Sequence, residues 1–450
     1  MGDGVSKDNK IDAIKFFTTR RIDLVVGVDY VDYYERGLKT DFFRMLYIAH
    51  KKSWNNLKEG IHMTEMDFIS RFNKIIESIK EDKINHKNVL VRNKNGNLFL
   101  GNGFHRVSAL YYYNHVVNYE IAKKATRRKN FGCIDYDVDI NFFKRGKDGP
   151  PLADEYCNYI MLRFLEDYCK EYSCMVLYHE EKNLPLDIED EINKNLIFEI
   201  KVVQTENFNL NFIRSLYLEE NWVKEKNRAK VKATSCFEKS KKEDEVRILF
   251  LKKYPQNELV HLKKKIRDFY KRGNHSVHTT DYMWENVNLS HLFNSNTISF
   301  LRCTPTIFNN FKTFEKCFSD LKKFCEQQKI DTRRICITSS AVLSVYCIRD
   351  CEDIDLLVDR EYIETFKNTQ FDTHNVYAEQ NHYGVTSDDI IYNPNNYFYY
   401  RGIKFCTLEI IYEYKQYRIQ NNLFGSKSVE KDKNDTKLIE DSYKFKNEWY

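Results

Sequence analysis

"ICITSSAVLSVYCIRDCEDIDLLVD", residues 335–359, sets two carboxylates inside apolar sequence, in a chain otherwise full of lysine, asparagine and tyrosine. Ile335, Cys336 and Ile337 form a strand-like run that ends in Thr338-Ser339-Ser340. A short apolar segment follows, and Asp353 and Asp355 then fall in a second strand-like run. A carboxylate among apolar neighbours is costly unless something satisfies it. Side chains alternate along a strand, so Asp353 and Asp355 share one face while Ile354 and Leu356 point to the other. Two acids on one face can hold a divalent cation such as Mg²⁺, whose charge relieves their repulsion. The order strand, turn, helix, strand brings Ser339 and Ser340 toward the same ion, where turn amides and hydroxyls can receive a phosphate. The plainer reading is a helix cap followed by an exposed acidic loop edge.

This arrangement resembles the nucleotidyltransferase superfamily, the polymerase β-like fold, in which a small-residue turn opening a helix precedes an acid-x-acid strand. "SDDIIYNP", residues 387–394, offers Asp389 ahead of an apolar strand, where the family often places a third carboxylate. "GIKFCTLEIIYEYKQYR", residues 402–418, looks like the strand and helix that follow, with Lys415 and Arg418 on the helix, and "KDKNDTKLIED", residues 431–441, is similar to the family's closing helix. The resemblance implies Mg²⁺ held by Asp353, Asp355 and Asp389, which also serve catalysis, with Ser339, Ser340 and Lys415 contacting a nucleoside triphosphate or nucleotide-sugar. The chain departs from the pattern in one respect: its turn lacks the usual glycine, and a Cβ there hinders close backbone approach to a triphosphate.

A second motif lies near the N-terminus. In "NLFLGNGFHRVSAL", residues 97–110, a glycine-rich turn follows a hairpin and opens a helix. Gly101 and Gly103 free the backbone to approach a phosphate, Arg106 and the helix-start amides bind it, and His105 orients it or exchanges a proton. Residues 62–125 resemble the ParB/sulfiredoxin-like fold, whose Gly-x-His-Arg helix start implies a nucleotide-phosphate site, with phosphoryl transfer as in its free-serine kinases. Sulfiredoxins carry a reactive cysteine where this chain has Phe104, which speaks against thiol repair. A capped helix with an exposed His-Arg pair is the bland alternative.

Composition fits this picture. With 42% hydrophobic and 30% charged residues, the 450-residue chain has the make-up of a folded, soluble protein. A net charge of +5 permits a phosphate-bearing partner but argues against nucleic acid, as does the lack of a helix-turn-helix pattern after the N-terminal motif. No apolar run is long enough to span a bilayer, and no secretory h-region precedes the first helix. Twelve cysteines scattered without C-x-x-C spacing fit free thiols in a reducing compartment, hence a cytoplasmic location.

The chain reads as multidomain, α/β and α+β. Residues 1–150 form a helical lead-in with the ParB/sulfiredoxin-like domain, 151–300 an α/β linking domain, and 301–450 the nucleotidyltransferase-like domain, ending in a well-solvated helix. Weaker signals are His275, His278 and Asp281 in "GNHSVHTTD", the strand face Asp135, Asp137 and Asp139, and the basic knot "KKATRRK", residues 123–129. Each is explained as well by structural or solvated side chains as by a metal or polyanion. The whole chain also resembles uncharacterised polysaccharide-locus proteins, which implies a small-molecule, sugar-like or glycan acceptor. The expected function is Mg²⁺-dependent nucleotidyl or phosphoryl transfer. The alternatives are a nucleotide-sensing protein with a degenerate transferase domain and a ParB-type nucleic-acid-associated protein.

Overall fold

Short β-branched and aromatic runs separated by amphipathic helices build three small sheets. The structure, a computed structural model, describes residues 9–54, 64–81, 89–94, 97–121, 138–145, 149–169, 171–178, 184–225, 227–237, 245–303 and 311–444. It is mixed α and β, and its contacts divide the chain into two units, Met1–Lys170 and Glu171–Tyr450. The knot at 123–129 and Asp135 and Asp137 lie outside the described residues; Asp139 caps a helix by accepting from the Phe142 amide at 2.9 Å.

In the first unit, strands β1 (Asn9–Asp12), β2 (Val89–Lys94), β3 (Asn97–Asn102) and β4 (Val116–Ile121) form a sheet of order β1-β4-β2-β3. The β2–β3 pair is the expected antiparallel hairpin, and β2 runs parallel to β4. Helix Glu65–Lys80 buries Phe72, Ile76 and Ile79, three of the residues whose spacing predicts it, and a Thr64–Asp67 capping box starts it. Tyr30, Tyr47 and Phe72 pack with ring centroids 4.6–5.2 Å apart, Tyr30 stacked on Phe72 and Tyr47 tilted against both. Helix Asp23–Arg36 lies so close to helix Phe104–Tyr112 that a Cβ at Gly27 would stand 2.2 Å from Ser108 Oγ. Helix Asp154–Asp167, expected beyond a boundary near residue 150, belongs to this unit: Tyr159 donates to Asp29 at 2.9 Å, and Arg163 pairs with Asp29 and Asp167.

The second unit holds two sheets. Strands β5 (Tyr172–Leu177), β6 (Leu196–Val203), β7 (Glu245–Lys252) and β8 (Val277–Thr279) pair antiparallel in the order β6-β7-β5-β8. Helix Gln256–Tyr270 covers one face, packing Leu259, Leu262 and Ile266 onto Met175, Leu177, Leu249 and Leu251. The other sheet, order β11-β10-β9-β13-β12, is made of β9 (Ile335–Thr338), β10 (Asp355–Val358), β11 (Asp372–Thr373), β12 (Tyr397–Tyr400) and β13 (Ile403–Cys406). A domain boundary at 300 would cut helix Ser295–Cys303. Its Phe300 stacks on Phe398 of β12 at 4.4 Å, and its Leu301 carbonyl accepts from Asn211 at 2.9 Å.

The closing helix, Ser426–Lys444, departs from the solvated helix its composition suggests. Asp432 and Asp435 are buried and clamp Lys415 of helix Leu408–Gln420, at 2.9 and 2.8 Å. Arg418 adds an ion pair to Asp432, and Arg349 forks onto Asp435 at 2.5 and 2.7 Å. Removing one partner strands the others in the interior, which costs about 3–5 kcal/mol. Asp435→Asn is therefore expected to lower the unfolding free energy by an amount of that order in urea titrations. Burial raises the Asp435 pKa, but the Arg349 hydrogen bond and the Lys415 charge outweigh it, and the net shift is downward. Its stabilisation is thus full above the unfolded carboxylate range near about pH 4 and is lost as pH falls through the lower folded value. The variant should lose that acid limb, and an unchanged limb would show that the network contributes nothing.

Candidate functional site

Where β9 ends and β10 begins, three carboxylates converge. Asp355 is the first residue of β10, Asp353 sits in the bend just before it, and Asp372 opens β11, in register with Asp355 across a parallel pairing. Ligand oxygens of the three lie within 4.8 Å of one another, with Asp355 buried and Asp353 and Asp372 exposed. Among the described residues, this is the acidic group whose spacing suits a metal. Its all-carboxylate donor set matches a hard, oxygen-preferring divalent ion. Burial raises the Asp353 pKa, and the like charges of Asp355, Asp372 and Glu352 raise it further. That repulsion is what a bound cation would relieve.

Asp355 is anchored from behind. Thr338 Oγ1 donates to the Tyr383 hydroxyl at 3.2 Å, which leaves the tyrosine proton for His374 Nδ1 at 2.8 Å. The opposite imidazole nitrogen, Nε2, then presents its hydrogen to Asp355 Oδ1 at 3.4 Å. Burial alone would raise the Asp355 pKa, but His374, a Ser339 hydrogen bond and the Lys415 charge bring it below the usual range. Tyr383 is fixed by stacking on Tyr414 at 4.1 Å.

Ser339 turns the chain between β9 and the short helix Ser340–Val345, with φ 58° and ψ −135°. This is a conformation that glycine adopts freely and other residues rarely do. The glycine is missing from the sequence, but its backbone geometry is present, and the serine hydroxyl bonds Asp355. Ser340 is the buried first residue of the helix.

Two expected members of the site lie elsewhere. Asp389 is not part of the carboxylate group. It sits in helix Ser387–Tyr392 rather than ahead of a strand, because Thr386 caps that helix, and its carboxylate accepts from Asn396 at 2.8 Å. Asp372 takes its place; in a strand of two residues it gives no alternation pattern to find. Lys415 is buried, and Asp432 and Asp435 occupy its ammonium, so it reaches Asp355 only through its field.

In the first unit, Gly101 lies in β3 and Gly103 caps helix Phe104–Tyr112 with φ 119°. A Cβ on Gly103 would meet Val89 at 2.8 Å, so close strand packing already requires the glycine. His105 Nε2 is 2.8 Å from the Tyr47 hydroxyl, and its ring lies 4.6 Å from Phe72. Burial, with Lys51 and Arg71 nearby, holds His105 neutral, far below the usual range. Arg106 is half-buried, and that burial lowers its pKa. Lys51, which no motif in the sequence marks, stands 3.9 Å above the Phe104 ring. Burial pushes its pKa down to about 7 against the attraction of Asp23, with Arg21 adding to the fall. Cations crowded in this way can accept an anion.

His275 and His278 do not act together. His275 Nδ1 lies 3.5 Å from Lys232 and 3.8 Å from Cys236, whereas His278 Nδ1 faces the Tyr217 hydroxyl at 3.1 Å. Burial and the charges of Lys263, Lys232 and Arg267 push His278 down to about 3.

No protein-family model, curated protein or solved structure matches this chain.

Two measurements probe these environments. Ser339→Ala loses the bond to Asp355 and keeps the strained backbone, whereas Ser339→Gly loses the bond and relieves the strain. In urea denaturation the alanine variant should be less stable than the glycine variant by about 1 kcal/mol; the reverse order would show that φ 58° carries no strain. Lys51 should react with an acylating reagent at pH 7 ahead of the exposed lysines, as read by peptide mass spectrometry. Equal rates would mean that its amine keeps an ordinary lysine pKa, near about 10.4.

Proposed function

We propose that the 171–450 unit is a Mg²⁺-dependent nucleotidyl- or phosphoryltransferase of polymerase β-like kind, acting on a small-molecule or sugar-like acceptor. The supporting observation is the convergence of Asp353, Asp355 and Asp372 beside a turn that keeps glycine geometry at Ser339. Asp353, Asp355 and Asp372 would hold Mg²⁺, which supplies charge neutralisation for the nucleoside triphosphate or nucleotide-sugar. Asp355, buried and oriented by His374 and Ser339, fixes the geometry of the set. Asp353 and Asp372 are exposed and so open to a substrate, and in this reading Asp372 would also take the acceptor's hydroxyl proton. In this reading the ParB/sulfiredoxin-like first unit binds nucleotide phosphate through the turn around Gly101 and Gly103, with His105, Arg106 and Lys51.

One observation favours a second reading, a nucleotide sensor. The ammonium of Lys415 is consumed by Asp432 and Asp435 and is not available to a phosphate.

Thermal unfolding with nucleoside triphosphates, with and without Mg²⁺, tests the site, because a ligand at a hundred times its Kd stabilises the native state by about 2.7 kcal/mol. The double variant Asp353→Asn/Asp355→Asn should stay folded and lose the Mg²⁺-dependent rise in Tm. Asp372→Asn should lose it too, and Asp389→Asn should keep it. An unchanged rise in the double variant sinks the proposal. Mg²⁺-dependent pyrophosphate or phosphate release by the wild-type protein separates transfer from sensing.

A further inference from the structure

A cleft of about 690 Å³ opens in the second unit, lined by Met283, Trp284 and Val287 of helix Met283–Ser290, Lys322 of helix Lys312–Gln328, Arg401 and Ile403. Its volume falls in the range of small-molecule sites, roughly 300–1,000 Å³. It is not the acceptor pocket of the carboxylate site. Arg401 belongs to the turn between β12 and β13, and Ile403 begins β13, which runs parallel to β9 with Lys404 opposite Cys336. The cleft therefore lies at the entering end of β9, whereas Ser339 and Asp355 lie at its leaving end. Four residues of strand separate the two ends, roughly 10–13 Å.

Its walls combine two features that a ligand would complete. The first is a cation. Lys322 is half-buried and makes no ion pair or hydrogen bond among the described residues; burial and the like charge of Arg401 lower its pKa, against the opposing charges of Glu219 and Glu326, which line the same cleft, and of Glu315. Arg401, by contrast, is neutralised by Glu315, whose two oxygens it reaches at 2.8 and 2.9 Å. The second is apolar surface left in water. Trp284 is 36% exposed and Met283 44%, and the Tyr282 ring lies nearly parallel to Trp284, with an interplanar angle of 12°. Large apolar side chains clustered beside a desolvated charge suit an amphiphilic ligand.

We infer that this cleft is a second ligand site, taking a small organic anion whose flat apolar body rests on Trp284 and Met283 and whose negative group pairs with Lys322. The site goes beyond the transfer reading and does not depend on it.

Anilinonaphthalene sulfonate, an aromatic anion, and its uncharged parent, phenylnaphthylamine, serve as probes with the full-length protein. The sulfonate should bind with a saturable rise in fluorescence at one site per chain. Lys322→Gln should weaken it about tenfold, the loss of one charge-assisted contact, and Lys322→Glu should weaken it further. Neither change should alter binding of the neutral probe, whereas Trp284→Ala should weaken both probes. Lys322 is partly exposed on its helix, so both of its variants should keep the wild-type circular dichroism. Sulfonate affinity that is equal in the wild-type and Lys322→Glu proteins overturns the anionic assignment, and affinity that survives Trp284→Ala overturns the cleft as the site. The Mg²⁺-dependent nucleotide response should persist in the Lys322 variants, so failure here leaves the carboxylate site standing, and the reverse.

Discussion

A carboxylate stays ionised inside a sheet only when donors and positive charge surround it. At Asp355 they come from three directions: the imidazole of His374, the hydroxyl of Ser339 and the field of Lys415. Each is itself held by something larger. His374 depends on Tyr383 and Thr338, Ser339 on the turn out of β9, and Lys415 on the acids of the closing helix. The sheet register, the aromatic stack of Tyr383 on Tyr414 and the docking of Ser426–Lys444 all serve one buried charge.

The second unit shows how two acid clusters of similar make-up come to differ. Asp432 and Asp435 face Lys415, Arg349 and Arg418, so their charge is balanced within the protein. Asp353, Asp355 and Asp372 repel one another, and two of them stay open to water. Balanced acids are scaffold. Among the other three, the mutual repulsion shows at Asp353, whose pKa is raised, while Asp355 keeps the support of His374, Ser339 and Lys415.

Much of the fold was legible because period and turn chemistry are local. The β2–β3 hairpin, the helix carrying Phe72, Ile76 and Ile79, and the strands flanking Ser339 all sit where alternation or helical spacing placed them. The pair Asp353 and Asp355 drew notice as acids one residue apart in apolar sequence, but alternation put both on one strand face, whereas β10 begins at Asp355 and Asp353 lies in the bend before it. Asp372 was not legible, since a two-residue strand has no period and its approach to Asp355 is a tertiary fact. Asp389 misled because "DDIIY" suits a strand by propensity, while Thr386 one residue before the helix decides for helix. The closing helix read as solvated because a buried ion network and a wet surface draw on the same residues. Lys51 was invisible for a related reason: what sets it apart is the ring of Phe104, fifty-three positions along the chain.

The turn at Ser339 has a consequence in terms of handedness. Reflecting its φ of 58° and ψ of −135° gives −58° and 135°, an ordinary extended conformation for an L-residue. Position 339 is therefore one that the opposite enantiomer would occupy without strain. Glycine suits the site because it has no handedness, at the cost of a looser unfolded chain. A D-serine introduced by chemical ligation would fit the backbone and keep that chain restricted. Its Cβ would project to the other side of the turn, carrying the hydroxyl away from Asp355. At this residue, comfort of the main chain and contact with the acid require opposite stereochemistry, and the protein has kept the contact.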